Sequence, residues 1–309
     1  MTTRINSLSG RRAAWRIAAL LALTLMSQQP AVAQETAEQQ YKKELVKQQS
    51  IFSSQGKDVP DGYVTTRGLD NYQELLPAAF PGTLRKLGSG DRWLDIGAGR
   101  AQAMLDYYDP SYDMSPDGKL RPGGKARAVA ISIEDRRTAQ WWQQVAVLGG
   151  DKMRYLHGKR LREYAREELG KFQIITDVYG GFSYTDELSL FVERVLSLLD
   201  VGGSFFTMIA SVHLEDGKDR PTTWYLTDLI DPSGRDVKVC TWLKSVSCVQ
   251  VTCESRSEWE APTDLIHVKK VCNDVSVPPL RRLRYEAGNP PERHFQLTSP
   301  LPPTTQAAK

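Results

Sequence analysis

The chain has 309 residues, 40% hydrophobic and 25% charged, the composition of an ordinary globular protein and not of a disordered or fibrous one. The length allows one generous domain, or one domain with an appendage. The formal charge is +3, but four of the 40 basic residues (Arg4, Arg11, Arg12, Arg16) lie before residue 34. Without that stretch 36 basic side chains face 37 acidic ones, which excludes a global electrostatic pull toward nucleic acid.

Residues 1–33 read as a signal peptide. A basic leader without acids precedes the apolar run Ile17 to Met26, and Ala31-Val32-Ala33 supplies the small-x-small cleavage pattern. Export to the periplasm or beyond is the expectation, with no stable membrane span once the signal is cleaved. A start at Met26 would instead leave the protein cytoplasmic. Arg11-Arg12 opens a twin-arginine reading that Ala13-Ala14-Trp15 fit poorly.

Residues 34–75 form a polar helical lead-in. From 76 to 215 strands and helices alternate, which predicts a parallel sheet with crossover helices. Trp93-Leu94-Asp95-Ile96 is the first strand and Ala101 to Tyr108 its helix. Ala126 to Ile133, Met153 to Leu156, Phe172 to Val178 and Ser204 to Ala210 are the following strands. Arg136 to Leu148 and Leu161 to Leu169 are helices between them. The strongest helix carries Leu188, Phe191, Val192, Val195, Leu196 and Leu199 at three-four spacing, with Ser183 and Asp186 as a capping box. Residues 216–288 read as an antiparallel extension, with strands Val237 to Leu243, Ser247 to Cys253 and Leu265 to Val271. Residues 289–309 read as a disordered tail. The expected fold class is therefore α/β: a Rossmann-like, mostly parallel sheet with helices on both faces, plus a C-terminal cysteine-bearing strand region.

Cys240, Cys248, Cys253 and Cys272 are an even set in one short region. In an oxidising compartment two disulfides are expected, with three connectivities open. Free buried thiols are the competing reading. Zinc is disfavoured, because the intervals of seven, four and eighteen residues lack a C-x-x-C pair.

The chemistry concentrates at Asp95-Ile96-Gly97-Ala98-Gly99-Arg100-Ala101. A strand must turn sharply into a helix here, and glycine permits both the turn and the close approach of a ligand. This stretch, with Trp93-Leu94 before it, resembles the class I S-adenosylmethionine-dependent methyltransferases more than the dinucleotide dehydrogenases. A second block agrees: Phe172-Gln173-Ile174-Ile175-Thr176-Asp177, the Leu188 to Leu199 helix, then Asp200-Val201-Gly202-Gly203. The resemblance spans roughly Asp91 to Ala210.

The resemblance implies S-adenosylmethionine as cofactor, with Asp95, Gly97 and Gly99 around its methionine end. The family's third glycine is Ala101 here. The acid that holds the ribose hydroxyls is assigned to Glu134, although Ser132 stands at the strict strand-end position. A helix-start acid is the plainer reading of Glu134. Asp177 ends the fourth strand and is assigned to cofactor or substrate, against a turn-forming role. Tyr179 and Tyr184 border the same edge, with packing as the plainer reading of each; His157 ends the third strand, near where the family's adenine contact falls, and a satisfied surface or core histidine is its plainer reading. The family's Asn/Asp-Pro-Pro-aromatic motif is absent, as are a serine-hydrolase elbow and a phosphate loop. The function expected is methyl transfer to an unidentified small-molecule or protein acceptor, with no nucleic acid as partner, no metal, and no assignable catalytic residue. The alternative is an exported, non-catalytic binding or scaffold protein that keeps the fold.

Overall fold

The computed structural model describes residues 36, 38–40, 42–44, 46–47, 50, 66–109, 123–149, 151–210, 212–216, 220–224, 227–258, 262–288 and 291–301. The chain divides into two units, Met1–Val46 and Lys47–Lys309. In the first, the described residues from 38 onward are helical and nearly all exposed. The signal segment and most of the Asp109 to Gly124 insert lie outside the described residues. Among those described, no helix is long and apolar enough to cross a membrane.

The second unit is built on a seven-stranded sheet of order β3-β2-β1-β4-β5-β10-β9. Its strands are β1 (Arg92–Ile96), β2 (Arg127–Ser132), β3 (Met153–His157), β4 (Phe172–Asp177), β5 (Leu199–Ala210), β9 (Val249–Arg256) and β10 (Thr263–Lys270). The first five pair in parallel, and β10 runs antiparallel between β5 and β9. The doubly wound order 3-2-1-4-5-6 is thus kept through the fifth strand, with one antiparallel strand inserted before the last. The strand region expected to stand apart as residues 216–288 instead lends two of its strands to the main sheet.

Both faces are covered, so β1, β2 and β4 are apolar on both sides, as buried parallel strands must be. Because side chains alternate, Leu94, Ile96, Val129, Ile131 and Ile175 enter one core, while Trp93, Ala128, Ala130 and Ile174 enter the other. The second core is closed by α1 (Leu69–Leu75), α2 (Ala79–Arg85), α3 (Gln102–Tyr108) and α4 (Ala139–Leu148). The first is closed chiefly by α7 (Leu188–Leu198), with short helices α5 (Arg166–Leu169) and α6 (Gly181–Tyr184) leading to it. The buried stripe of α7 (Leu188, Phe191, Val192, Val195, Leu196) follows the predicted spacing, each side chain worth about 1.5–3 kcal/mol of burial.

Several elements depart from expectation. Helix α1 lies inside the second core, with Leu69, Tyr72 and Leu76 buried, so the α/β unit starts before residue 76. Leu161 to Leu169 is not one helix: a 3-10 turn (Leu161–Glu163) is separated from α5 by extended backbone at Tyr164. The Arg194 guanidinium takes the Tyr164 carbonyl, which is therefore lost to a continuous helix. Ser183 belongs to α6, and α7 is preceded by Glu187, so no capping box forms there. Asp186 is held instead by Arg160 and Arg282.

Val237 to Leu243 is no strand; Val239–Lys244 is helix α8, whose buried Val239, Trp242 and Leu243 sit at helical spacing. The tail carries a strand as well. β12 (Glu292–Leu297) pairs with β11 (Leu280–Glu286) and, in parallel, with β8 (Thr227–Ile230). Arg293, Phe295 and Leu297 are buried on its inner face. β6 (Val212–Asp216) and β7 (Arg220–Trp224) form a separate hairpin.

The cysteines form two disulfides, Cys240–Cys253 and Cys248–Cys272, and none is free. The first ties α8 to β9. The second ties the entry of β9 to the exit of β10. Only Cys253 lies within a strand. These pairs are compatible with an oxidising compartment.

Candidate active site

The sheet order reverses direction at β1, which has β2 on one side and β4 on the other. In open α/β sheets the crevice outside the carboxyl ends of strands at such a point is where ligands bind. Asp95, Gly97 and Gly99 lie at the end of β1, Glu134 two residues beyond β2, and Asp177 at the end of β4. All five sequence-predicted residues are therefore brought to one edge.

The turn after β1 is held by two backbone bonds, the Gly97 and Ala98 amides donating to the Ile131 carbonyl at 2.9 and 3.0 Å. Gly97 has φ +81, and a β-carbon added to it would lie 2.5 Å from the Cα of Gly180. The β1 turn and the loop after β4 thus meet backbone to backbone. Ala101 takes φ +58, where the family's pattern has glycine. It keeps the left-handed turn at the steric cost a Cβ incurs there.

Asp95 is fully buried. Tyr72 donates its hydroxyl to Oδ2 at 2.7 Å, and Thr176 donates to Oδ1 at 2.7 Å. The Trp93 indole donates in turn to Thr176 at 2.8 Å. Burial pushes the Asp95 carboxyl up to about 7, against the pull of the two hydroxyl donors and of Arg67. Tyr72 is pushed well above its ordinary value by its own burial and by Asp95, so it is a neutral donor.

Asp177 is also fully buried, and its oxygens accept from the Gly180 and Phe182 amides, both at 2.9 Å. Burial raises it too, to about 7, although the two amides favour the ionised form. Its contacts are those of a loop-forming acid. The same loop is gripped from far along the chain by Arg293, whose guanidinium donates to the Phe182 and Thr185 carbonyls and to Thr227. Burial lowers this arginine to about 10, which still leaves it charged at neutral pH.

Glu134 is partly exposed and pairs with Arg136 at 3.0 Å. Ser132, at the strand end proper, is buried. Tyr155 on β3 donates its hydroxyl toward the carbonyls of Gly99 and Glu134, linking the glycine turn to the β2 edge. His157 is half-exposed, beside Asp135 and Arg137. Tyr179 lies under the Arg67 guanidinium, 4.9 Å from its ring centroid, while the Tyr184 carbonyl accepts from Tyr285. Tyr72, Tyr155, Thr176 and Arg293 were not singled out from the sequence. Thr176 left one signal, as a hydroxyl within the otherwise apolar run Ile174-Ile175. Among the described residues no cluster of three or more His, Cys, Asp or Glu is arranged to hold a metal ion.

The residues fit S-adenosylmethionine in part. An ionised carboxylate has about four lone-pair sites, and Asp95 uses two of them; because it is fully buried, a ligand ammonium would reach the other two only by displacing what covers them. Glu134 presents a carboxylate at the edge of β2. Asp177 likewise accepts one donor on each oxygen, and both of its donors come from its own loop.

No family model matches the chain. No curated protein matches it. Solved structures similar to it include PKMT2 from Rickettsia typhi, at 14% identity over 43% of this chain and TM-score 0.32; the chain spans about a quarter (24%) of that protein's length. An rRNA methylase from Streptococcus thermophilus is similar at 11% identity, covering 68% of this chain and 100% of that one, with TM-score 0.37. Geranyl diphosphate C-methyltransferase from Streptomyces coelicolor, solved with S-adenosyl-L-homocysteine, is similar at 15% identity over 46% of this chain and 47% of that one, with TM-score 0.30. The fold assignment rests on the strand order and registers above. By those, and by the glycine turn after β1, the chain has a Rossmann-like α/β fold.

Proposed function

We propose that the chain binds S-adenosylmethionine at the carboxyl edge of β1 and transfers its methyl group to an acceptor that is not a nucleic acid. The observation that carries this reading is convergence: Asp95 and the Gly97–Gly99 turn, Glu134, and the loop after β4 all meet at the point where the sheet order reverses. Asp95, Gly97 and Gly99 would hold the methionine end, with the ammonium on the remaining lone pairs of Asp95. Glu134 would accept from the ribose hydroxyls. Asp177 acts indirectly, by fixing the loop that borders the site. When bound, the cofactor supplies a sulfonium that is already a good leaving group. The chain's own contribution is to align the acceptor and exclude water.

Isothermal titration calorimetry with S-adenosylmethionine tests the reading, with Asp95→Ala as control. Saturable heat that disappears in the variant supports it. No heat at millimolar cofactor sinks it.

A second reading has its own observation. All four oxygens of Asp95 and Asp177 already accept from internal donors. The disulfides also suit an exported chain, remote from the intracellular supply of the cofactor. An exported binding or scaffold protein that keeps the fold without the reaction accounts for both facts. Amino-terminal sequencing of the mature chain tests the export half: a start at Gln34 agrees with it, and a retained Met26 start contradicts it.

A further inference from the structure

We propose that Tyr72, delivered by α1, is the positioning residue that sets the charge and orientation of Asp95 in the cofactor site, the end of a buried relay Trp93–Thr176–Asp95–Tyr72. The proposal rests on the reading of Asp95 as a cofactor-holding acid.

Proton accounting fixes the direction of every bond. The indole nitrogen of Trp93 can only donate, so the Thr176 oxygen accepts from it at 2.8 Å. Thr176 then has one hydrogen left to give, and Asp95 Oδ1 stands 2.7 Å away. Tyr72 is neutral and gives its one hydrogen to Oδ2 at 2.7 Å. Asp95 thus receives one hydroxyl donor on each oxygen, the arrangement that suits a carboxylate and not a carboxylic acid. Protonation of Asp95 would leave one of the two donors facing an O–H.

The donors are not free to drift. The Tyr72 ring is buried against Phe80 and Trp93, at centroid distances of 6.3 and 6.5 Å. Asp95 and Thr176 are register partners on adjacent strands. The other charged groups that act on Asp95 are few. Arg67, which precedes α1, favours its ionised form, and Asp177 on β4 interacts with it as a like charge. Tyr72 is therefore the donor that comes from outside the sheet, and the hydroxyl through which α1 reaches the acid.

The relay provides its own reporter. The Trp93 indole N–H feels the charge on Asp95 through a single hydroxyl, so its resonance in 15N-labelled protein should move as Asp95 titrates. In the wild type the midpoint is expected near 7. Tyr72→Phe keeps the ring and removes one donor to the carboxylate, and should raise that midpoint by about one to two units. At pH 7 the affinity for S-adenosylmethionine should fall by about five- to fiftyfold for the same reason, because half of the wild-type Asp95 is ionised there. It should recover as pH is raised through the new midpoint. A merely structural loss would weaken binding equally at every pH. Thr176→Val cuts the relay at its centre and should abolish the pH response of the indole. It serves as the second test should Tyr72→Phe not fold. An unchanged midpoint in Tyr72→Phe, or an indole that still titrates in Thr176→Val, overturns the proposal. If the wild type binds no cofactor but the indole midpoints move as expected, the relay stands and the cofactor reading alone fails.

Discussion

Replacing Gly97 by alanine tests a close backbone approach in the candidate site. The added β-carbon would lie 2.5 Å from the Gly180 Cα and 3.3 Å from its nitrogen. Two carbons at rest sit about 3.5–4.0 Å apart. Both groups it meets are backbone, so no rotamer change can relieve the overlap. The position also has φ +81, where a Cβ costs about 1–2 kcal/mol regardless of neighbours. Overlap with the Gly180 backbone, on one side of an otherwise exposed glycine, adds about 1–3 kcal/mol. Gly97→Ala should therefore lose about 2–5 kcal/mol of stability. Gly234 is the matched control, with φ +84, an exposed site, and nothing within 4 Å of an added β-carbon. Gly234→Ala should cost the backbone part alone. Urea unfolding of both variants, compared at constant m, separates the two contributions. Equal losses at the two positions would refute the claim that the β1 turn and the β4 loop are in contact.

Further predictions follow from other parts of the edge. Asp95 has an ordinary value of 3.8 and reaches about 7 in the fold, as does Asp177. Between those values the folded chain keeps a proton that the unfolded chain has released, so stability should fall as pH rises through that window. The loss is on the order of 4 kcal/mol for one such group. Urea unfolding from pH 4 to 8 measures it, and a rise in stability over that range would contradict the burial of these acids. Arg293→Ala should cost about 3 kcal/mol or more, because the Phe182 and Thr185 carbonyls and Thr227 lose their donor together. Thermal unfolding of the variant checks this, and a wild-type midpoint would argue against the contact. Joint replacement of Cys240 and Cys253 by serine should cost about 2–4 kcal/mol. A midpoint insensitive to that change would mean the bridge is not formed in the purified protein.

The sheet was legible because its strands obey simple patterns. Apolar runs bounded by glycine mark β1, β2 and β4, and α7 displays its stripe openly. Asp95, Gly97 and Gly99 were legible for the same reason: a strand that must turn into a helix leaves a local signature. The missed features are those decided at long range. Nothing near Tyr72 in sequence says that its hydroxyl reaches an acid 23 positions on. Val239–Lys244 has β-branched and sulfur-containing residues that suit a strand, yet burial of Val239, Trp242 and Leu243 on one helical face decides its form. The tail misled through its prolines and charges, although Arg293, Phe295 and Leu297 alternate as a strand does. Asp177 was placed correctly, but a carboxylate at a strand end looks the same in sequence whether it faces a ligand or caps its own loop.

The Arg293 grip bears on how the molecule is assembled. It joins Phe182 to a residue 111 positions later, so the loop bordering the candidate site is fastened by a strand synthesised well after it. Closing so long a loop is slow compared with forming neighbouring strand pairs. A nascent chain can therefore build the β1 turn and the parallel sheet well before the rim of the crevice is secured. A chain cut short before β12 would carry the glycine turn after β1 without the Arg293 contacts to the loop beside it.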